Sequence, residues 1–225
     1  MSESALSVVN LRFSIRKRLI LDQINFEVPK GCVFAVVGHN GAGKTTLFHI
    51  LLGLKIQSKG QIVILGKQNL DHRSRAKLGY VPERPYLDLS SNLRDFLLFH
   101  ANLMGISYQK RDEEIKNAAQ SVGLLENLNQ ELSTFSKGML QKTLIAQATL
   151  GNPEILILDE PMSGLDPEAR EAVRHQIISL KNLGKTLIFS SHALEDVGLL
   201  ADQVLIIKSG KIEFLGSVSQ WKEQR

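Results

Sequence analysis

Nine residues at positions 38–46, GHNGAGKTT, match the pattern G-x-x-x-x-G-K-[ST] in full. Gly38, Gly41 and Gly43 let the chain curl so that backbone N–H groups converge on phosphate oxygens. His39, Asn40, Ala42 and Thr46 belong to the same phosphate-seeking turn. Lys44 has the reach for the β- and γ-phosphates of a nucleoside triphosphate, and Thr45 offers a hydroxyl to Mg²⁺. The buried-strand run CVFAVV (32–37) precedes the motif, and a helical pattern from Lys44 to about Leu54 follows it. That strand–loop–helix context is what distinguishes a working phosphate loop from a glycine-rich turn.

Two further stretches complement it. ILILDEP (155–161) is an apolar strand ending in adjacent carboxylates. Strand side chains alternate, so Asp159 and Glu160 are expected to point opposite ways and to do different jobs. Asp159 suits Mg²⁺ held through water, and Glu160 suits a general base that polarises an attacking water. Alone, such a pair reads as a solvated strand edge; downstream of a phosphate loop the chemical reading prevails. The second stretch, STFSKGMLQK (133–142), reads as a helix start with Ser136 as N-cap and Lys137 and Gly138 in the opening turn. Apolar Leu140, Leu144, Ile145 and Ala148 follow with helical spacing. Its free N–H groups also favour an anion. One chain thus carries two phosphate-seeking helix ends.

The elements that must position these residues follow from the pattern along the chain. Strands are expected at 6–15, 24–28, 32–37, 62–65, 78–81, 154–159, 186–191 and 203–208. From about Asn92 to Leu150 the pattern is helical, with candidate helices at 92–104, 110–122 and 137–150. Helices at about 167–182 and 193–200 separate the later strands. Strands alternating with helices imply a mostly parallel, doubly wound α/β sheet. The boundaries expected are one domain over 1–225, with an α/β core from 1–91 and 151–225 and a helical insertion at 92–150.

Composition bounds the rest. A chain of 225 residues that is 43% hydrophobic can bury a sizeable core. The net charge of +4, from 27 basic and 23 acidic residues, is small and dispersed, against a nucleic-acid protein with a concentrated basic face. Arg16, Lys17 and Arg18 form one local cluster that could face phosphate or acidic lipid, although three charges at a strand end are usually a solvated loop. A lone cysteine, Cys32, excludes an intrachain disulfide and a cysteine-based metal site. MSESALSVVN lacks a charged-then-apolar leader pattern, and no apolar run approaches the ~20 residues of a membrane span. A cytoplasmic chain is expected, which at a membrane would dock on another protein.

With the ordered set GHNGAGKTT, YVPE (80–83), FSKGM (135–139), ILILDEP, SGLD (163–166) and SSH (190–192), the chain resembles the ATP-binding subunit of an ABC transporter over almost its whole length. The resemblance implies a P-loop NTPase (RecA-like) fold, with a mostly parallel sheet, an antiparallel β subdomain and an inserted α-helical subdomain. It implies ATP and Mg²⁺ as ligands and a head-to-tail pairing, as a homodimer or with a related ATPase subunit. In such a pair each ATP lies between one chain's phosphate loop and the other's signature helix, so Ser136, Lys137 and Gly138 would bind the γ-phosphate held by the partner. YVPE stands at the family's Q-loop, SGLD at its D-loop, and His192 at the switch histidine that touches the γ-phosphate and steadies Glu160. A separate integral membrane permease is implied as partner, with the chain peripheral on the inner face of the cell membrane.

Three positions depart from the common family form. The signature carries Lys137 for Gly and Met139 for Gln, and the Q-loop carries Glu83 for Gln; Glu83 can still approach Mg²⁺. These forms, like GHNGAGKTT, resemble ATPases of ABC-2-type exporters, which favours export. Where the family often stacks an aromatic on adenine, the matching residue is Ile15, with Phe13 two residues back on the same strand face. Base selectivity is therefore expected to be weaker. The alternatives are an import ATPase, which would share the core motifs, and an ABC ATPase acting on nucleic acid or ribosomes. Soluble members of the latter class carry two ATPase domains or a long coiled-coil insertion. An unrelated P-loop kinase or GTPase has no role for FSKGM, SGLD and SSH. RPYLDLSSNLRDFL, near Glu83 to Leu93, is the candidate docking surface for the permease, and core packing explains its apolar residues equally well. After GKIEFLGSVSQWKEQR no room is expected for a regulatory domain.

Overall fold

The computed structural model describes residues 3–85 and 87–223. The chain runs β1 (Ser4–Ile15), β2 (Arg18–Pro29), β3 (Val33–Val37), α1 (Lys44–Leu51), β4 (Lys59–Ile64), β5 (Lys67–Gln68), α2 (His72–Arg75) and β6 (Leu78–Val81). It continues α3 (Leu93–Leu103), α4 (Tyr108–Ser121), α5 (Lys137–Thr149), β7 (Ile155–Leu158), α6 (Pro167–Asn182) and β8 (Thr186–Ser191). It closes with α7 (Leu194–Leu200), β9 (Gln203–Lys208), β10 (Lys211–Ser217) and α8 (Val218–Glu223).

These elements make two sheets. A six-stranded sheet has the order β10-β9-β3-β8-β7-β6, parallel except for edge strand β10. A four-stranded antiparallel sheet has the order β2-β1-β4-β5. The two are fastened where Asp22 N–H donates to Gly210 O at 2.8 Å.

The all-apolar strands have a physical reason. Each of the five residues of β3 is buried, and successive ones enter different cores. Val33, Ala35 and Val37 face a core built with α3–α7, whereas Phe34 and Val36 face α1 and the antiparallel sheet. In β7, Leu156 and Leu158 share the first core and Ile155 and Ile157 the second. A sheet covered on both faces needs apolar residues at every position, not an alternation. Each fully buried side chain of this size contributes about 1.5–3 kcal/mol.

The boundaries differ from the sequence expectation in instructive ways. Helix α1 stops at Leu51 instead of running to Leu54, because Gly53 takes φ +72° and Leu54 N–H closes onto His49 O at 2.8 Å. Helix α3 begins at Leu93, capped by Asn92, whose side chain accepts from Asp95 N–H at 2.8 Å. Helix α4 begins two residues earlier than expected, after Ser107. Strand β10 and helix α8 carried no clear pattern in the sequence. In β10 the intermediate and exposed residues alternate at a sheet edge, and α8 buries only Val218 and Trp221.

Candidate functional site

The parallel register lines up one edge of the large sheet. Val81 pairs with Leu158, Leu158 with Phe189, and Val37 with Ser191, so four strands end together. Gly38, Asp159, His192 and the Pro82–Glu83 turn therefore emerge side by side, at the carboxyl edge where ligands of open α/β sheets bind.

The phosphate loop is held from below. A Cβ on Gly38 would lie 2.5 Å from Ile207 O, and one on Gly43 would lie 2.7 Å from Leu21 Cδ2. Gly43 also takes φ +110° as it opens α1, a conformation that L side chains rarely adopt. Lys44, only 6% exposed, donates from Nζ to Gly38 O at 2.7 Å and to His39 O at 3.4 Å. His39, Asn40, Gly41, Gly43, Lys44, Thr45 and Thr46 line a cleft of about 550 Å³, together with Glu83, Glu160 and His192. Gly38 and Ala42 are buried beneath the loop and support it.

Asp159 and Glu160 separate for a reason other than the one the sequence suggested. Strand β7 ends at Leu158, so neither belongs to the pleat. Glu160 takes φ +49°. That left-handed turn drops Asp159 inward and lifts Glu160 into the cleft. Ser190 fixes the turn: its hydroxyl accepts from Glu160 N–H at 2.7 Å and donates to Asp159 Oδ1 at 2.6 Å. His192 Nδ1 donates to Glu160 Oε2 at 2.9 Å. Lys44 Nζ stands 3.2 Å from Glu160 Oε1, close enough for charge pairing, although that oxygen has no aligned hydrogen-bond donor. Glu160 thus sits between an ammonium and an imidazole with its carboxylate aimed at the loop.

The metal question turns on Asp159. It is 1% exposed, and its Oδ2 has no hydrogen-bond partner. An orphaned buried carboxylate oxygen fits a hard cation. Among the described residues no cluster of three or more His, Cys, Asp and Glu could hold a metal unaided. An ion here would therefore take most of its ligands from phosphate and water, as Mg²⁺ does. The carboxylates also shape their surroundings. Burial, aided by Asp159 and Glu83, pushes the Tyr80 hydroxyl up to about 12. Burial, with Lys55, holds His49 below its ordinary value against the opposing pull of Asp159.

On the outer wall of the cleft stand Ile15, Ile20, Arg18 and Arg84. Phe13 does not line it; that ring is 9% exposed, with Lys55 Nζ 5.9 Å from its centroid. Arg18 belongs to the Arg16–Arg18 cluster that the sequence allowed to face phosphate or acidic lipid and weighed against a solvated loop; here it lines the cleft. Arg84 and Ser190 were missed; nothing in YVPER or FSSH marks them locally, because their neighbours come from distant strands.

The other anion-seeking helix end lies apart. Ser136 accepts from Met139 N–H at 3.2 Å and caps α5 as expected. Ser136 and Lys137 are exposed and Gly138 is buried, and none of the three lines the cleft. Gly138 presses on α6: a Cβ there would lie 2.7 Å from Ala169 Cβ. Of the expected docking stretch, Leu89 is 45% exposed while Leu93 is fully buried, and Tyr86 lies outside the described residues.

Comparison with known proteins agrees with this geometry. The ABC transporter family profile matches residues 21–163. An uncharacterized ABC transporter ATP-binding protein of Synechocystis sp. is 40% identical over 89% of this chain and 57% of its own length. The lantibiotic transport ATP-binding protein SrtF of Streptococcus pyogenes is 37% identical over 92% of this chain and 88% of its own. The chain thus spans less than two thirds of the former relative and most of the latter. Among solved structures, cbiO1 from Clostridium perfringens, part of the ABC transporter complex cbiONQ, superposes with a TM-score of 0.90 at 27% identity, covering 99% of this chain and 92% of that one. The fold is that of ABC ATPases, an α/β domain whose mostly parallel sheet is joined by an antiparallel one, and the chain belongs to the ABC transporter family as an ATP-binding member.

Proposed function

We propose that this chain hydrolyses ATP in a head-to-tail pair of ATP-binding chains and so drives a separate membrane permease. The observation that carries the reading is the placement of Glu160, turned into the cleft by its left-handed backbone and flanked by Lys44 and His192.

In this reading the loop N–H groups from His39 to Thr46 and the Lys44 ammonium grip the β- and γ-phosphates. Glu160 takes a proton from a water as the water oxygen bonds to the γ-phosphorus. The bond from that phosphorus to the β–γ bridging oxygen breaks, and ADP and inorganic phosphate leave. His192 keeps the Glu160 carboxylate oriented through Nδ1. Thr45, Asp159 and Glu83 would hold Mg²⁺, which when bound neutralises charge on the phosphate oxygens. Ser136 with the N–H groups of Lys137 and Gly138 would complete the partner's site at its γ-phosphate. Loss of the γ-phosphate removes that contact and loosens the pair.

Residues 92–150 are proposed as the helical subdomain that carries this half-site. The permease contact is placed near Glu83 to Leu93. Among the described residues no helix is long and apolar enough to cross a membrane. A cytoplasmic, peripheral position through the permease follows from the reading. Export is the proposed direction, supported by Lys137 and Glu83, which resemble exporter ATPases. The test is Glu160→Gln. It should bind ATP, lose about 100- to 10,000-fold in turnover as expected for a lost general base, and accumulate as an ATP-bound dimer. Near-normal turnover would reject Glu160 as the base.

A further inference from the structure

Helix α7 follows the switch histidine directly, and at its fourth residue after His192 it buries a charge. Asp196 is 0% exposed. Its Oδ1 accepts from Arg174 Nε at 2.9 Å and from Arg174 Nη2 at 2.7 Å. Its Oδ2 has no hydrogen-bond partner. Arg170 Nη2 stands 3.8 Å from that oxygen, and the buried Nε of Arg170 also lacks a partner. A carboxylate in this position is costly to bury, and more so with one oxygen unsatisfied.

Both arginines belong to α6, and α6 links two other motifs. It starts where the SGLD turn ends, with Asp166 as its N-cap accepting from Ala169 N–H at 2.8 Å. Ala169 is the residue against which Gly138 of the signature helix packs. Arg170 is the next residue along. The face that a second chain is proposed to cover therefore bears on α6, α6 bears on Asp196, and Asp196 is anchored four residues beyond His192. Elsewhere in α7, Val197 and Leu200 are buried and Leu194 packs partly buried against the same core, so Asp196 is the charged member of an otherwise apolar contact face.

We propose that Asp196 is a positioning residue for hydrolysis: held by Arg174, and by Arg170 once α6 shifts enough to close the gap, it sets where His192 stands against Glu160 as the partner chain docks. This rests on the two-chain hydrolysis proposed above.

The test measures steady-state ATP turnover and thermal midpoint for wild type, Arg170→Met, Asp196→Asn, the double variant and Glu195→Gln. Arg170→Met should lower kcat about tenfold, the lower end for losing a contact that orients a catalytic side chain, with KM for ATP and the thermal midpoint unchanged. Arg170 is 30% exposed, so this variant keeps the test open if Asp196→Asn fails to fold. The double variant should be no slower than Asp196→Asn alone. Glu195→Gln, which removes a 70% exposed partner of the same Arg174, should behave as wild type. Wild-type kcat in Arg170→Met, a KM that rises in step with the fall in kcat, or multiplicative losses in the double variant would each overturn the proposal. Absence of turnover in wild type would overturn the hydrolysis reading and this proposal with it; an active wild type with an unaffected Arg170→Met would overturn this proposal alone.

Discussion

The two phosphate-seeking helix ends differ in how completely they are built. At the start of α1 the loop is braced on every side: Lys44 on Gly38 O, Glu160 on His192, Gly43 against Leu21, Gly38 against Ile207. At the start of α5 there is one cap bond, from Met139 N–H to Ser136, and one close contact, of Gly138 with Ala169. The first end has a cleft lined by a carboxylate, an imidazole and a lysine; the second presents exposed Ser136 and Lys137 outside that cleft. Such an asymmetry is what a shared site requires. In the proposed two-chain site, the braced half would perform the chemistry, and the exposed α5 end would be presented to the γ-phosphate held by another chain.

That contrast can be broken by substitution. Ser136→Arg fills the exposed end and should abolish pair-dependent hydrolysis, while ATP binding by the isolated chain, measured by nucleotide titration, stays largely intact. Loss of binding would mean that the two ends are not separable. A matched pair of glycine variants sharpens the point. Gly43→Ala forces a side chain onto a left-handed residue and into Leu21, so ATP binding itself should fail. Gly138→Ala meets Ala169 and should cost about 1–3 kcal/mol of stability by thermal unfolding, with turnover reduced and binding retained. Equal loss of binding in both would erase the distinction. The smallest effect concerns the base. With Ile15 and no described aromatic on the cleft wall, GTP should be turned over within about tenfold of ATP, because the missing stacking is worth only about 1–3 kcal/mol. A strong ATP preference that is lost in Phe13→Ala and unchanged in Ile15→Ala would contradict this.

Much of the braced half was legible because it is local in sequence. The glycines, Lys44 and Thr45 fall in one motif, and an uninterrupted apolar strand announces each arm of the sheet. The alternating layers of β3 were equally readable, since a strand buried on both faces leaves an unbroken apolar run. What the sequence concealed is non-local. Ser190 joins Asp159 and Glu160 only because β8 lies beside β7, and Arg84 reaches the cleft only because β6 ends at the same edge. The left-handed turn at Glu160 was hidden as well: alternation along a strand gave a correct separation of the two carboxylates for an incorrect reason. Asp196 drew no notice in the sequence, and it is the approach of α6, with Arg174 on its carboxylate, that marks it as a buried charge.

The central claim is that each working site draws on two chains. The most direct measurement mixes Ser136→Arg with Lys44→Ala. Each variant alone should be inactive, since every site in its own pair lacks one half. In the mixture, half of the randomly formed pairs hold one site made of an intact phosphate loop and an intact signature end, so turnover should recover to about a quarter of wild type if sites act independently. A mixture no more active than its two components measured separately would contradict the account.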